Sequence, residues 1–143
     1  MIGSLITRAI IRRGFDAMNR GDVDGLMRLW ADDCTFFYPG RVEAGGRFAG
    51  KPAVTQWFTR FFTQFPRRRY TVREIGLARL FAMSGDNTVF VHFDLELTSR
   101  SGLEAKNGGV SMLRIAGGKA VSEEIFLRVI DGDEYKRGWG DIP

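Results

Sequence analysis

Apolar positions follow a helical period over the first part of the chain and a period of two from Tyr70 onward, which predicts three helices and then a sheet. Ile11, Phe15 and Met18 share one face of a first helix over about residues 5–19; Val23, Leu26 and Trp30 share one face of a second over 23–31. Gly21-Asp22 breaks the pattern between them. Asp22 stands where its carboxylate can accept from the free amides of the next turn. A strand over 34–38 stops at Pro39-Gly40, and the stretch 40–50, with Gly45-Gly46, reads as a loop. The third helix opens at Pro52, where a missing amide costs nothing. It carries Val54, Trp57, Phe58, Phe61, Phe62 and Phe65 on a broad apolar stripe and ends before Pro66.

Strand-like runs then cover 70–83, 88–98, 106–116 and 120–130, separated by Ser84-Gly85-Asp86-Asn87, Ser99-Arg100-Ser101-Gly102 and Gly117-Gly118. Helices followed by an antiparallel meander predict an α+β fold, with the three N-terminal helices packed on one side of a strongly curved sheet. The tail 131–143, with Trp139, reads as a short extension packing over a sheet edge or a partner subunit.

A chain of 143 residues, 44% hydrophobic with 12 Phe, is expected to form one domain over 1–143 with a substantial apolar core. A net charge of +4 brings nucleic acid into question, but the arginines are scattered and no nucleic-acid-binding motif is present. The only run, Arg67-Arg68-Arg69, reads as the solvated end of the third helix. One histidine and one cysteine, Cys34, exclude an intrachain disulfide and argue against a zinc site. No glycine-rich phosphate loop follows a strand, so no cofactor is expected. No apolar run reaches a membrane-spanning length, so a cytoplasmic protein without nucleic-acid or membrane partners is expected.

Ala17-Met18-Asn19-Arg20-Gly21-Asp22 followed by Leu29-Trp30-Ala31-Asp32-Asp33-Cys34-Thr35-Phe36 resembles the nuclear transport factor 2-like superfamily, in particular its SnoaL-like and ketosteroid-isomerase-like branches. Phe48-Ala49-Gly50-Lys51-Pro52-Ala53 and Gly117-Gly118-Lys119-Ala120-Val121 extend the resemblance to roughly residues 8–130. It implies a cone whose open end holds an apolar pocket, and a homodimer formed through the sheet. It does not fix a reaction, because this fold hosts isomerases, cyclases, dehydratases, hydrolases and proteins without chemistry.

Four residues stand out as candidate catalytic groups. His92 and Asp94 share a face of one strand, and a carboxylate beside a histidine makes an acid–base pair for neutral pH. Simple alternation puts Val89, Val91, Phe93, Leu95 and Leu97 inward and leaves His92, Asp94 and Glu96 in water. A dimer covering the outer face would instead let the polar set converge on the pocket. The limonene epoxide hydrolase branch carries an Arg and an Asp on what resembles this strand; Asp94 matches, and His92 replaces the Arg. Glu123 interrupts the apolar face Val121, Ile125, Leu127 and Val129, where burial would raise its pKa. Tyr38 falls where ketosteroid isomerases carry their general base, Phe15 where they carry the oxyanion-hole tyrosine, and Ser111 where they carry a protonated aspartate. The resemblance thus argues against that mechanism here. Ile125 falls where the epoxide hydrolase branch places its water-activating aspartate. Phe15, Met18, Trp30, Phe36, Trp57, Phe61, Ser111 and Leu113 are the expected pocket lining.

The expected function is cofactor-free acid–base chemistry on an apolar, ring-bearing small molecule. The alternative is a non-catalytic module that binds a hydrophobic metabolite; a protein scaffold would have a filled cone.

Overall fold

A computed structural model describes residues 2–81 and 84–140. The elements are α1 (Ile2–Arg20), α2 (Val23–Met27), β1 (Trp30–Tyr38), β2 (Gly46–Ala49), α3 (Lys51–Gln64), β3 (Arg67–Leu77), β4 (Asn87–Thr98), β5 (Glu104–Ala116), β6 (Lys119–Leu127) and α4 (Asp133–Trp139). The fold is the expected α+β cone: helices against a six-stranded, curved, unclosed sheet. None of the described helices is long and apolar enough to cross a membrane.

The turn from α1 to α2 follows from two residues. Gly21 adopts a left-handed φ of 69°, which a residue without a Cβ accepts at little cost. Its amide bonds the Met18 carbonyl at 3.2 Å while the Asp22 amide bonds that of Ala17 at 2.9 Å, closing the helix end. Asp22 then accepts from the Gly25 amide at 2.8 Å and caps α2, as its position suggests. On α3 the apolar stripe is buried as the helical period requires, apart from the half-buried Phe62, and Gln64 lies buried at the end of the same stripe.

The sheet runs β2-β1-β6-β5-β4-β3, antiparallel except for β1 beside β6. Register irregularities occur at Val72/Glu74 and Arg114/Ile115. Such bulges increase local bending and help a sheet to curl.

Several boundaries differ from the sequence reading. The second helix ends at Met27, because Trp30 already lies in β1; Asp32 and Asp33 therefore sit on a strand rather than closing a helix. The stretch read as a loop contains β2, whose four residues are too few to show a period. Arg67-Arg68-Arg69 opens β3 instead of trailing α3. Arg68 is held, not solvated: its guanidinium donates to the carbonyls of Met18 and Phe65, both at 2.7 Å, and lies 4.2 Å from the Phe62 ring centre. The run read as ending at Met83 loses its strand at Leu77, and Met83 itself is outside the described residues. The tail includes α4, which closes one end of the cone.

Candidate functional site

β4 settles which of its faces looks inward. Val89, Val91, Phe93 and Leu95 are buried, whereas Phe90, His92, Asp94 and Glu96 lie on the opposite face. The acid–base pair is therefore outside the cone, corrected from the pocket by the alternation of a strand with one covered face. There Arg73 donates to Asp94 at 2.7 Å and Arg128 at 2.9 Å, and Arg128 also reaches His92 Nε2 at 2.9 Å. The two guanidiniums, Arg73 foremost, hold the Asp94 carboxyl below its ordinary range. Arg128 follows β6 and crosses β5 at Gly108, which pairs with Asp94. A Cβ at Gly108 would stand 2.8 Å from the Arg128 guanidinium and 2.7 Å from the Phe93 carbonyl.

The concave face holds a different chemistry. Glu123 sits in the middle of β6, opposite Phe36 of β1 and Leu113 of β5. Only 8% of it is exposed. Ser111, one diagonal step away on the same face of β5, donates its hydroxyl to the Glu123 carboxylate. Burial raises the carboxyl to about 7, against a smaller lowering by the Ser111 hydroxyl. A cavity of about 30 Å³ adjoins Glu123, walled by Met18, Trp30, Phe58 and Leu113 among others. Tyr70 of β3 belongs to the same interior. Its ring packs edge-on to Phe15 at 5.6 Å and against Phe93 at 5.5 Å. Burial first, then the Glu123 charge, pushes its phenol far above the ordinary range.

The expected lining residues Phe15, Met18, Trp30, Phe36, Trp57, Phe61, Ser111 and Leu113 are all buried. They pack on one another rather than around a wide void: Phe36 and Trp57 lie 4.6 Å apart, and Trp57 stacks on Phe61 at 5.3 Å. Tyr38 joins this cluster 4.8 Å from Trp57, near the end of the cone that α4 covers. Burial pushes its hydroxyl well up, and Tyr135 and Trp139 of α4 interact with it. A second cavity of about 80 Å³ lies between α4 and the sheet, bordered by Tyr38, Phe65, Leu95, Leu127 and Trp139. Among the described residues no three His, Cys, Asp or Glu side chains gather as a metal would require.

The sequence reading missed Tyr70, Gln64 and Tyr135. Two of them left a signal. Tyr70 alternates with Arg68 and Val72 along β3, and Gln64 falls three residues after Phe61 on the α3 stripe. Nothing local marks Tyr135, whose hydroxyl donates to the distant Pro39 carbonyl at 3.0 Å.

Residues 11–123 match the SnoaL-like domain. The chain is similar to Bal32a, from a soil-derived mobile gene cassette, with a TM-score of 0.77 and 19% identity over 96% of this chain and 98% of that one. It is similar to an NTF2-like protein of unknown function from Burkholderia pseudomallei, with a TM-score of 0.71 and 20% identity over 85% and 89%. TerC, co-crystallised with polyporic acid, aligns with a TM-score of 0.70 and 19% identity over 88% and 92%. No curated protein matches the chain. At these identities the structural likeness speaks for the fold.

Proposed function

The chain belongs to the SnoaL-like domain family, within the nuclear transport factor 2-like superfamily, and we propose that it moves protons on an apolar, ring-bearing small molecule without a cofactor, using Glu123. The observation that carries this reading is the position of that carboxyl: buried on the concave face, tied to one hydroxyl, and surrounded by aromatic and aliphatic side chains. A group balanced near neutrality can both take and return a proton, the requirement shared by isomerisation, cyclisation and dehydration. Ser111 is a positioning residue for Glu123. Phe15 supplies no hydroxyl, but Tyr70 stands edge-on to it. In this reading the Tyr70 phenol donates to the oxygen on which negative charge develops. His92 and Asp94, on the outer face, have no part in it. Tyr38, at the α4 end, is a substrate contact rather than the base.

Deuterium wash-in tests this without knowledge of the natural substrate. Cyclic ketones incubated with the protein in D2O are expected to gain deuterium next to the carbonyl. Glu123→Gln should slow the exchange by about a hundredfold or more. Equal rates with and without the carboxyl would end the catalytic reading. The packed rings favour one second reading, a protein scaffold with a filled cone; no exchange on any ketone and no bound ring compound would select it.

We also propose that the outer sheet face pairs two copies of the chain. Phe90 and Phe126 are exposed there, on either side of β5 and in neighbouring rows, beside Met112 and Val110. Light scattering at micromolar concentration should give twice the chain mass; a monomer would remove the proposal.

A further inference from the structure

We propose that the end of the molecule formed by the start of α1 and the β3–β4 turn docks on an anionic lipid surface. Ile2, Leu5, Ile6, Leu80 and Phe81 enter the headgroup layer, and Arg12, Arg13 and Arg79 meet its phosphates. The inference stands apart from the reading of Glu123.

These five apolar side chains are the most exposed large hydrophobics among the described residues, from Ile6 at 55% to Phe81 at 80%. They are not scattered. Ile2, Ile6 and Phe81 border one open cleft between α1 and the turn; Leu5 adjoins Ile6, and Leu80 adjoins Phe81. Single exposed apolar residues need no explanation, but a contiguous group of them marks an interaction surface.

The chain holds this group in place. α1 buries a different face, with Thr7, Ile11 and Phe15, and Arg8 donates to the Ile75 carbonyl of β3 at 2.8 Å. At the foot of the turn, Asn87 Oδ1 accepts from the Arg79 amide at 3.0 Å, and its Nδ2 donates to the Arg79 carbonyl at 2.6 Å. Asn87 is itself buried. A buried amide answered on both sides fixes the backbone that leads to Leu80 and Phe81.

Charge identifies the partner. From Ile2 to Phe15 the chain has three arginines and no acid. Arg12 and Arg13 are exposed and lie seven residues beyond Leu5 and Ile6, two turns along the same face or about 10 Å. Side chains on a helix lean towards its N-terminus, which turns both guanidiniums towards the apolar group. Arg79, also exposed, directly precedes Leu80. The acid of the turn, Asp86, is engaged by the Gly117 amide at 3.2 Å. Apolar side chains with cations set one step behind them match the acyl boundary and phosphate layer of an anionic bilayer. A second copy fits less well, because two such faces would bring the same arginines together. None of the described helices can cross a membrane, and a peripheral contact needs none; the expectation against a membrane partner rested on that length alone.

The full chain is sedimented with vesicles of phosphatidylcholine containing about one third phosphatidylglycerol, and with vesicles of phosphatidylcholine alone. Binding to the anionic vesicles is expected to be about tenfold or more stronger, and to fall as salt is raised. Phe81→Ser should weaken it about tenfold or more, because one ring no longer enters the acyl boundary. Arg12→Glu combined with Arg13→Glu should weaken it by about as much. Lys136→Glu combined with Arg137→Glu, the same change of charge on exposed positions of α4, should leave it intact. Equal losses from the two charge reversals would reduce the binding to net charge and overturn the proposal. So would sedimentation with neither vesicle, or binding that Phe81→Ser leaves unchanged. Light scattering of the parent and Phe81→Ser reads the competing occupant: a mass that halves on substitution, with no vesicle binding, would place a second copy on this face and remove the lipid.

Discussion

Asp94 and Glu123 are carboxylates of the same sheet, on β4 and β6, and the two faces of that sheet treat them in opposite ways. Asp94 looks outward and is shared by two arginines, which favour its charged form. Glu123 looks inward and has one hydroxyl, and burial there favours its neutral form. An acidic group is therefore poised for proton transfer less by the number of polar partners around it than by what they fail to supply. The histidine–aspartate pair has the sequence pattern of catalysis but the environment of a surface ion cluster. The lone glutamate has little such pattern and an environment that raises its carboxyl towards neutrality.

The comparison of faces is most sharply tested by truncating Phe93 and Phe90 on the same strand. Phe93 is 2% exposed and Phe90 42% exposed. Phe93→Ala should cost about 3–5 kcal/mol in denaturant unfolding, and Phe90→Ala within about 0.5 kcal/mol for an isolated chain. A cost at Phe90 that grows with protein concentration would locate the second copy on the outer face.

Next comes the pH dependence of stability. The folded-state pKa of Glu123 lies near 7, above its ordinary 4.5, so between these values the folded chain binds more protons than the unfolded one. Stability must then fall as pH rises through that window, by a total of about 3 kcal/mol. Glu123→Gln should flatten this limb in urea titrations at pH 5 and pH 8, with its largest stabilising effect at pH 8. A parent protein more stable at pH 8 than at pH 5, with the same profile in the variant, would place the carboxyl in contact with water.

The smallest effect is expected outside. Asp94 has a lowered pKa, so the stability it contributes is present above its ordinary 3.8 and is lost on acidification. Asp94→Asn should lower the melting temperature slightly at low salt and hardly at all at high salt, because exposed pairs are screened. A large, salt-independent loss would mean that the Arg73–Asp94–Arg128 cluster is covered.

Most of the architecture was legible because the chain spells it locally. The switch of period at Tyr70, the Gly21-Asp22 break and the α3 stripe each state an element in neighbouring residues. The parallel pairing of β1 with β6 is not stated locally; it is a long-range match that the resemblance could imply and periodicity could not. The site was legible in part. Glu123 announced itself as a charge on an apolar face, and Ser111 as its neighbour across one strand step. The orientation of β4 was the harder question, since a dimer could make either face a covered one. Plain alternation was the better guide. Gln64 went unnoticed because its amide bonds the Gly138 carbonyl of α4, and α4 has too few residues to show a period.

The Trp30–Ala120 and Phe36–Glu123 pairings join β1 to β6, the first described strand to the last. Without β6, β1 and β2 would be a two-stranded ribbon with one bare edge, and such ribbons are marginal in water. Trp30, Phe36 and Tyr38 meet rings of α3 nearby in the chain, but the sheet itself is completed only by the distant β6. Closing so distant a pair slows folding and lengthens exposure to aggregation. The strand that carries Glu123 is thus also the keystone: the buried carboxyl and the continuous six-stranded sheet arrive in one event.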